Sequence, residues 1–136
     1  MSISSLFAKL GAPLQNTRWS WGAVRKADSA VFLRVWQDRM VVENRVAMMM
    51  ITHHEKYTED PDNLGYQERL EHVRLVRDGT KCYLIMCEAK DIHAVPREIK
   101  TYNDREVFVG GEVREMRGDT WVKIADRLRV SAVQLP

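Results

Sequence analysis

The chain has 136 residues, of which 45% are hydrophobic and 29% are charged, as in one globular domain with its own core. Lysine and arginine number 21 against 19 acidic residues, so the net charge of +2 lacks the strong basicity that marks many nucleic-acid-binding proteins. No apolar run reaches the roughly 18 residues of a membrane-spanning helix, which excludes that class of membrane protein. We expect a single domain over residues 1–136 without a membrane partner.

The two cysteines indicate a reducing compartment. Cys82 and Cys87 flank an apolar run, and their spacing on a strand would place them on opposite faces, where they could not form a disulfide with each other. Residues 1–11 lack the long apolar core of a signal peptide. Free thiols without an export signal predict a cytoplasmic location.

The first half of the chain changes from a helical to a strand period. Apolar residues at spacings of three and four predict a short helix over residues 2–10. From residue 19 onward, apolar residues recur at every second position. This pattern predicts strands over residues 19–25 and 30–42, joined as a hairpin. A continuous apolar run rich in methionine predicts a strand buried on both faces over residues 45–52.

The second half begins with a polar loop over residues 53–65 and a helix over residues 66–77 that a glycine terminates. The remaining periodic segments predict strands at residues 81–89, 97–102, 106–117, 120–124 and 130–135. Many consecutive strands with two helices predict an α+β fold. We expect a curved antiparallel sheet, or a partly open barrel, of six or seven strands.

Three of the four tryptophans are concentrated within residues 19–36. On a strand, Trp19 and Trp21 would point to the same side and form a flat aromatic surface. Arg18 precedes them, and Arg34 lies beside Trp36, a combination that suits either a core lid or the stacking of a planar ligand. Core packing is the simpler interpretation for Trp21 and Trp36, whereas the polar approach to Trp19 favours base stacking.

A second basic group lies on the predicted helix. Arg74 and Arg77 are neighbours on its surface, which suits half of a phosphate-binding face. Glu68 and Glu71 are placed to pair with such arginines, so a solvated surface of ion pairs is the alternative. The predicted nucleic-acid-binding residues are therefore Arg18, Trp19, Arg34, Trp36, Arg74 and Arg77.

An enzymatic alternative rests on Asp78, the apolar strand that follows, and then Glu88 and Lys90. This order resembles the PD-(D/E)xK nuclease pattern, in which two carboxylates hold Mg²⁺ and the lysine assists the attacking water. Arg77 stands where that pattern has proline, and the usual hairpin between the two acids is missing. The alternative is thus a magnesium-dependent nuclease with Asp78, Glu88 and Lys90 as catalytic residues.

The histidines and cysteines do not predict a metal site. His53 and His54 are adjacent, so in an extended strand their rings would point to opposite faces and could not share one ion. No second ligand pair follows at a zinc-binding spacing. The preferred interpretation therefore includes no metal and no cofactor.

Four segments carry a family resemblance: Arg18-Trp19-Ser20-Trp21-Gly22-Ala23, Val31-Phe32-Leu33-Arg34-Val35-Trp36-Gln37-Asp38, Glu68-Arg69-Leu70 with His72, and Ala89-Lys90-Asp91. Together they resemble a small bacterial domain of uncharacterised function that is associated with HNH-type restriction endonucleases and related defence genes. The chain lacks the histidine and asparagine unit of an HNH nuclease. The resemblance implies a DNA-associated module that reads a modified or flipped base, for which an aromatic stack with polar edge contacts is required.

The preferred hypothesis is a non-catalytic nucleic-acid-binding module of a restriction or defence system. Its expected partners are DNA and a nuclease encoded separately. Besides the magnesium-dependent nuclease, a third hypothesis is a protein-interaction or inhibitor subunit whose exposed tryptophans anchor an interface.

Overall fold

The computed structural model of the protein describes residues 2–135, so Met1 and Pro136 of the predicted domain lie outside the described range. Within it are three α-helices: α1 (Ile3–Lys9), α2 (Leu64–Arg77) and α3 (Val130–Val133). The strands are β1 (Gly22–Val24), β2 (Val31–Trp36), β3 (Met40–Glu43), β4 (Val46–Thr52), β5 (Cys82–Ala89), β6 (Ile99–Tyr102), β7 (Glu106–Met116) and β8 (Asp119–Arg129). Short 3-10 turns occupy Gln37–Arg39 and Glu55–Tyr57.

The strands form one curved, open sheet in the order β1-β2-β5-β7-β8-β4-β3, with β6 paired to the far end of β5. The predicted α+β fold with a curved sheet and two main helices is confirmed. One pair, β2 with β5, is parallel, whereas the sequence predicts an antiparallel sheet. The reason is that β3, β4 and α2 lie between these strands in the chain and form the long crossover that parallel pairing requires.

Both faces of the sheet are buried, so the core consists of two clusters. Phe32, Tyr83 and Ile85 point to the face that α1 and α3 cover. Leu33 and Leu84 point to the opposite face, which α2 covers. Because side chains alternate along a strand, the continuous apolar character of β2 and β5 reflects burial on both sides.

The cysteines follow the same alternation. Cys82 lies in the cluster beneath α2 and Cys87 in the cluster beneath α1, on opposite faces of β5 as predicted. Burial raises the pKa of each thiol to about 12. Both thiols therefore stay protonated at neutral pH.

The predicted strand over residues 30–42 is wrong in its continuity. The 3-10 turn Gln37–Arg39 divides it into β2, which lies next to β5, and β3, which lies at an edge of the sheet. Arg97 donates two hydrogen bonds to the Asp38 carboxylate, at 2.7 and 2.9 Å, and so ties this turn to a distant loop. Because this contact joins residues far apart in the sequence, the local spacing of apolar residues does not reveal it.

The C-terminal segment 130–135 was predicted as a strand, but it begins with the short helix α3. Val130 and Val133 are both buried in the cluster beneath α1, and their spacing of three places them on one side of a helical turn. The spacing of these apolar residues is compatible with a strand or a helix. Packing against the core therefore decides the conformation.

The β7–β8 hairpin closes through Arg117 and Gly118, whose positive φ angles of 54° and 81° are those of a type I′ turn. Beside this turn the buried Trp121 indole donates a hydrogen bond to the Met116 carbonyl at 3.0 Å. Trp121 therefore anchors the hairpin.

Candidate functional site

The candidate site is a cleft of about 120 Å³ where β2 and β4 end, between the two 3-10 turns and α2. We call it the cationic cleft, because its lining includes five cationic side chains and four aromatic rings and no carboxylate. The cations are Arg34, Arg39, Lys56, Arg69 and Arg97, and the rings are those of Trp21, Trp36, Tyr57 and Tyr66. The sequence predicts only Arg34 and Trp36 of these residues as site residues.

Arg69 holds the base of the cleft together. It is 5% exposed, and its guanidinium donates hydrogen bonds to the carbonyls of Ile51, Trp21 and Arg34, the last two at 3.0 and 2.8 Å. These carbonyls belong to β4, to the segment before β1 and to β2. Burial lowers the pKa of Arg69 to about 10, which leaves the group charged at neutral pH. Its hydrogen-bond partners are neutral carbonyls, and the neighbouring Glu68 carboxylate acts on its charge only through space.

Three further cations in the cleft have no carboxylate partner within residues 2–135. The Arg34 guanidinium lies 5.7 Å from the Trp36 ring centre, and Lys56 Nζ lies 5.8 Å from that of Tyr57. Among the described residues, Arg39 makes one long contact, 4.0 Å to Met50 Sδ, and the carboxylates of Asp38 and Asp119 act on its charge only through space. Burial lowers the pKa of Arg34, Arg39 and Lys56, and repulsion between neighbouring cations lowers the pKa values of Arg39 and Lys56 further.

Arg97 differs, because its charge is neutralised by Asp38. Its guanidinium also lies 5.3 Å from the Trp36 ring centre. Trp36 thus contacts both Arg34 and Arg97, and its ring packs partly against the core beneath α1. Its position is that of a platform that orients guanidinium groups.

The aromatic side of the cleft is a connected row of rings. Tyr57 stacks on Tyr66 at 4.8 Å between ring centres, and Trp21 lies 5.3 Å from Tyr57. The Tyr66 hydroxyl is hydrogen-bonded to His54 Nδ1 at 2.8 Å. At Gly65 an added Cβ would lie 2.4 Å from Trp21 Cε2, so the indole packs directly on the start of α2. We call these three rings the aromatic wall, and their mutual contacts hold it in place.

Two buried polar groups of the cleft residues lack hydrogen-bond partners in the part of the chain that the structure describes. They are Arg69 Nε and Thr52 Oγ1. Both residues are at least 95% buried, and an unpaired polar group there costs free energy.

The two adjacent histidines are engaged in separate hydrogen bonds. His53 Nδ1 lies 3.0 Å from Asp119 Oδ1, and His54 Nε2 lies 2.8 Å from Thr120 Oγ1. Among residues 2–135, no group of three histidine, cysteine or acidic side chains is placed to hold a metal ion.

Arg18 and Trp19 lie outside the cationic cleft. The prediction that Trp19 and Trp21 share one side of a strand is wrong, because residues 17–19 form a turn and β1 begins only at Gly22. The Asn16 side chain accepts a hydrogen bond from the Arg18 amide at 2.9 Å, and this local bond competes with strand formation.

Arg74 and Arg77 are also apart from the cleft. Arg74 pairs with Glu71 and, at 3.3 Å, with Asp78, and Arg77 pairs with Glu115 on β7. All these side chains are exposed. The helix surface therefore has the ion-paired character that the sequence allows as its alternative to a phosphate-binding face.

The structure does not bring the predicted nuclease residues together. Asp78 precedes β5 and Glu88 lies near its other end, so a rise of about 3.3 Å per residue separates them by roughly 20 Å. Glu88 pairs with Lys100 at 3.3 Å, and Lys90 pairs with Glu98 at 3.1 Å. This geometry offers no shared ion site for the two acids.

Sequence reasoning misses most of the cleft, although one signal was present. Arg69 occurs on the helix side that carries Tyr66, Val73 and Val76, and an arginine at an apolar-face position indicates a buried, hydrogen-bonded guanidinium. Lys56 and Tyr57 give no such signal, because they lie in a polar segment that only tertiary contacts fold.

No helix within residues 2–135 has the length and apolarity needed to cross a membrane. Comparisons of the chain with family models, with curated proteins and with solved structures gave no match. The resemblance to an HNH-associated bacterial domain therefore stays a prediction.

Proposed function

We propose that the protein is a non-catalytic nucleic-acid-binding module of a restriction or defence system, with DNA as its ligand. The observation that carries this proposal is the set of four cations that form no ion pair among the described residues, Arg34, Arg39, Lys56 and Arg69, beside the aromatic wall. In this arrangement the cations bind backbone phosphate and the rings stack on an adjoining base.

The charge distribution supports an anionic ligand. Exposed cations such as Arg74, Arg77 and Lys90 form ion pairs on the protein, whereas four of the five cations of the cationic cleft form none within the described residues. Keeping like charges together in a half-buried space costs free energy in the absence of an anion. Guanidinium groups match phosphate oxygens in geometry, which favours phosphate among anions.

The aromatic wall supports a base beside that phosphate. Stacking of a base on an aromatic side chain contributes about 1 to 3 kcal/mol and tolerates any sequence. The wall consists of rings from a segment before β1, from the Glu55–Tyr57 turn and from α2, next to the cations. A flipped or modified base is proposed to stack here, on Trp21 and Tyr57, and not on Trp19.

The restriction or defence context rests on the family resemblance. Three of the four resembling segments contribute side chains to the cleft, namely Trp21, Arg34 with Trp36, and Arg69. The resemblance and the cleft thus involve the same part of the molecule. A separately encoded nuclease is the proposed partner, and the cytoplasm is the proposed location.

Binding of a labelled DNA duplex and a labelled single strand at several salt concentrations tests the proposal. We expect affinity to fall as salt rises, since phosphate contacts release counterions. Arg34→Gln should weaken binding roughly tenfold and reduce the salt slope by about 1. Duplexes with and without a modified base test whether the aromatic wall distinguishes bases.

Arg74→Gln is the matched control, because Arg74 is exposed and already paired with two carboxylates. Its affinity should equal that of the unmodified chain, as should that of Trp19→Ala. Absent binding, or binding that ignores salt, would contradict the proposal and favour an interaction or inhibitor subunit.

A further inference from the structure

Resting on the proposed function, we infer that the cationic cleft recognises a terminal phosphate monoester at the end of a DNA strand in preference to an internal phosphodiester. Four features of the cleft carry this inference. They are its charge, its size, its hydrogen-bond donors and the burial of its cations.

The charge of the cleft exceeds what one phosphodiester supplies. Arg34, Arg39, Lys56 and Arg69 bring four positive charges to a lining that contains no carboxylate, while Asp38 pairs with Arg97. An internal phosphodiester carries one negative charge. A phosphate monoester carries about −1.5 to −2 at pH 7 and matches the cleft better.

The size of the cleft favours a group that enters end-on. Its volume of about 120 Å³ is enough for several water molecules. This space holds a phosphate group beside the aromatic wall. An internal phosphodiester would have to bring a sugar on both sides, whereas a terminal phosphate brings one and leaves the other side free.

The donors of the cleft suit several acceptor oxygens at once. The guanidinium groups of Arg34 and Arg39 offer donors, whereas the unpaired Arg69 Nε and Thr52 Oγ1 are enclosed by the protein. A monoester presents three terminal oxygens and a phosphodiester only two. The third oxygen adds a charge-assisted hydrogen bond that an internal phosphate cannot make.

The burial of the cations also favours the more highly charged ligand. Desolvation lowers the pKa of Arg34, Arg39 and Lys56, so their charged forms lack the solvent that would stabilise them. A dianion in the cleft compensates this loss more completely than a monoanion does.

The test compares short single strands of one sequence that carry a 5′-phosphate, a 3′-phosphate or hydroxyls at both ends. We expect one phosphorylated strand to bind at least about tenfold more tightly than the hydroxyl strand. Comparing the two phosphorylated strands identifies the end that is recognised. Inorganic phosphate should compete with the phosphorylated strand at concentrations that leave a chloride control of equal ionic strength unaffected.

Paired lysine variants locate the effect. Lys56→Met should abolish most of the preference for the phosphorylated strand, whereas Lys90→Met, which removes an exposed lysine paired with Glu98, should leave it unchanged. Melting temperatures of both variants show whether each is folded.

Equal affinity for phosphorylated and hydroxyl strands would overturn the terminal-phosphate inference and leave DNA binding intact. Failure to bind any of the strands or duplexes would overturn both. A preference that persists in Lys56→Met but is lost in Lys90→Met would place the phosphate outside the cleft and contradict the inference.

Discussion

At the scale of single residues, the balance between burial and charge is clearest at His72 on α2. The side chain is 7% exposed, and its Nδ1 has no hydrogen-bond partner among residues 2–135. Burial, and then the positive charge of Arg69, lowers the pKa of the imidazole from 6.5 to about 4. The folded protein therefore holds His72 neutral in a pH range where the unfolded chain protonates it.

This shift predicts a loss of stability in mild acid. Between about pH 6.5 and pH 4 the unfolded chain binds more protons at His72 than the folded protein does, so the free energy of unfolding falls as pH falls. The full shift corresponds to about 3 kcal/mol. Urea unfolding at several pH values measures it, and His72→Gln should flatten the curve.

Glu68, which neighbours His72 on α2, acts in the opposite direction. Burial raises the pKa of its carboxyl, so its contribution to stability increases as pH falls. For this reason the comparison is between the unmodified chain and His72→Gln, both of which retain Glu68. Parallel curves for the two proteins would show that His72 is not held neutral by the fold.

At the scale of elements, the contact between α2 and the aromatic wall depends on a missing side chain. Gly65 lies in the first turn of α2, and its Cβ would be 2.4 Å from Trp21 Cε2 and 2.7 Å from Trp21 Cζ2. The Trp21 indole cannot move freely to make room, because it also packs against Tyr57, at 5.3 Å between ring centres. The helix and the wall therefore fit only with glycine at this position.

We expect Gly65→Ala to destabilise the fold by about 2 kcal/mol through overpacking and to weaken DNA binding by displacing the indole. Chemical unfolding measures the loss of stability, and the tryptophan fluorescence spectrum reports the displacement of the indole. DNA titration measures the loss of affinity. Gly111→Ala on β7 is the control, because there the nearest atom to the added Cβ is Ala125 Cβ at 3.3 Å. Similar losses in both variants would argue against a specific fit at Trp21.

The elements themselves are predictable where their signals are local. Ser2 and Asn63 accept hydrogen bonds from backbone amides at the starts of α1 and α2, and such caps are readable in sequence. The boundaries of strands are harder to predict from the sequence. The segment 19–25 shortens to β1 because Asn16 stabilises a turn, and 130–135 becomes partly helical because of its packing on the core.

At the scale of the whole molecule, the sheet has a protected centre and an unprotected edge. β5 pairs with β2 and β7 and is covered on both faces by the two core clusters. Within residues 2–135, β3 pairs only with β4, and it exposes Met40 and Val42, the latter to 66%. Local opening of β3 therefore exposes little buried surface, whereas opening of β5 disrupts both clusters.

Amide hydrogen exchange should follow this order. We expect the amides of β5 to exchange at a rate set by global unfolding, and those on the open side of β3 to exchange orders of magnitude faster. Mass spectrometry of peptic fragments or NMR resolves the two strands. Slow exchange of β3 in the isolated protein would indicate that a further strand or a second copy covers this edge.

The sequence by itself determined the α+β class, most of the two main helices, the buried character of β5 and the opposite orientation of Cys82 and Cys87. These features depend on periodicity and on caps, which neighbouring residues fix. Tertiary structure alone decided the parallel pairing of β2 with β5, the pairing of Arg77 with Glu115, and the meeting of Arg34, Lys56 and Arg69 in one cleft. The physical reason is that each of these contacts joins segments far apart in the chain, so its free energy depends on burial and charge that no local pattern contains.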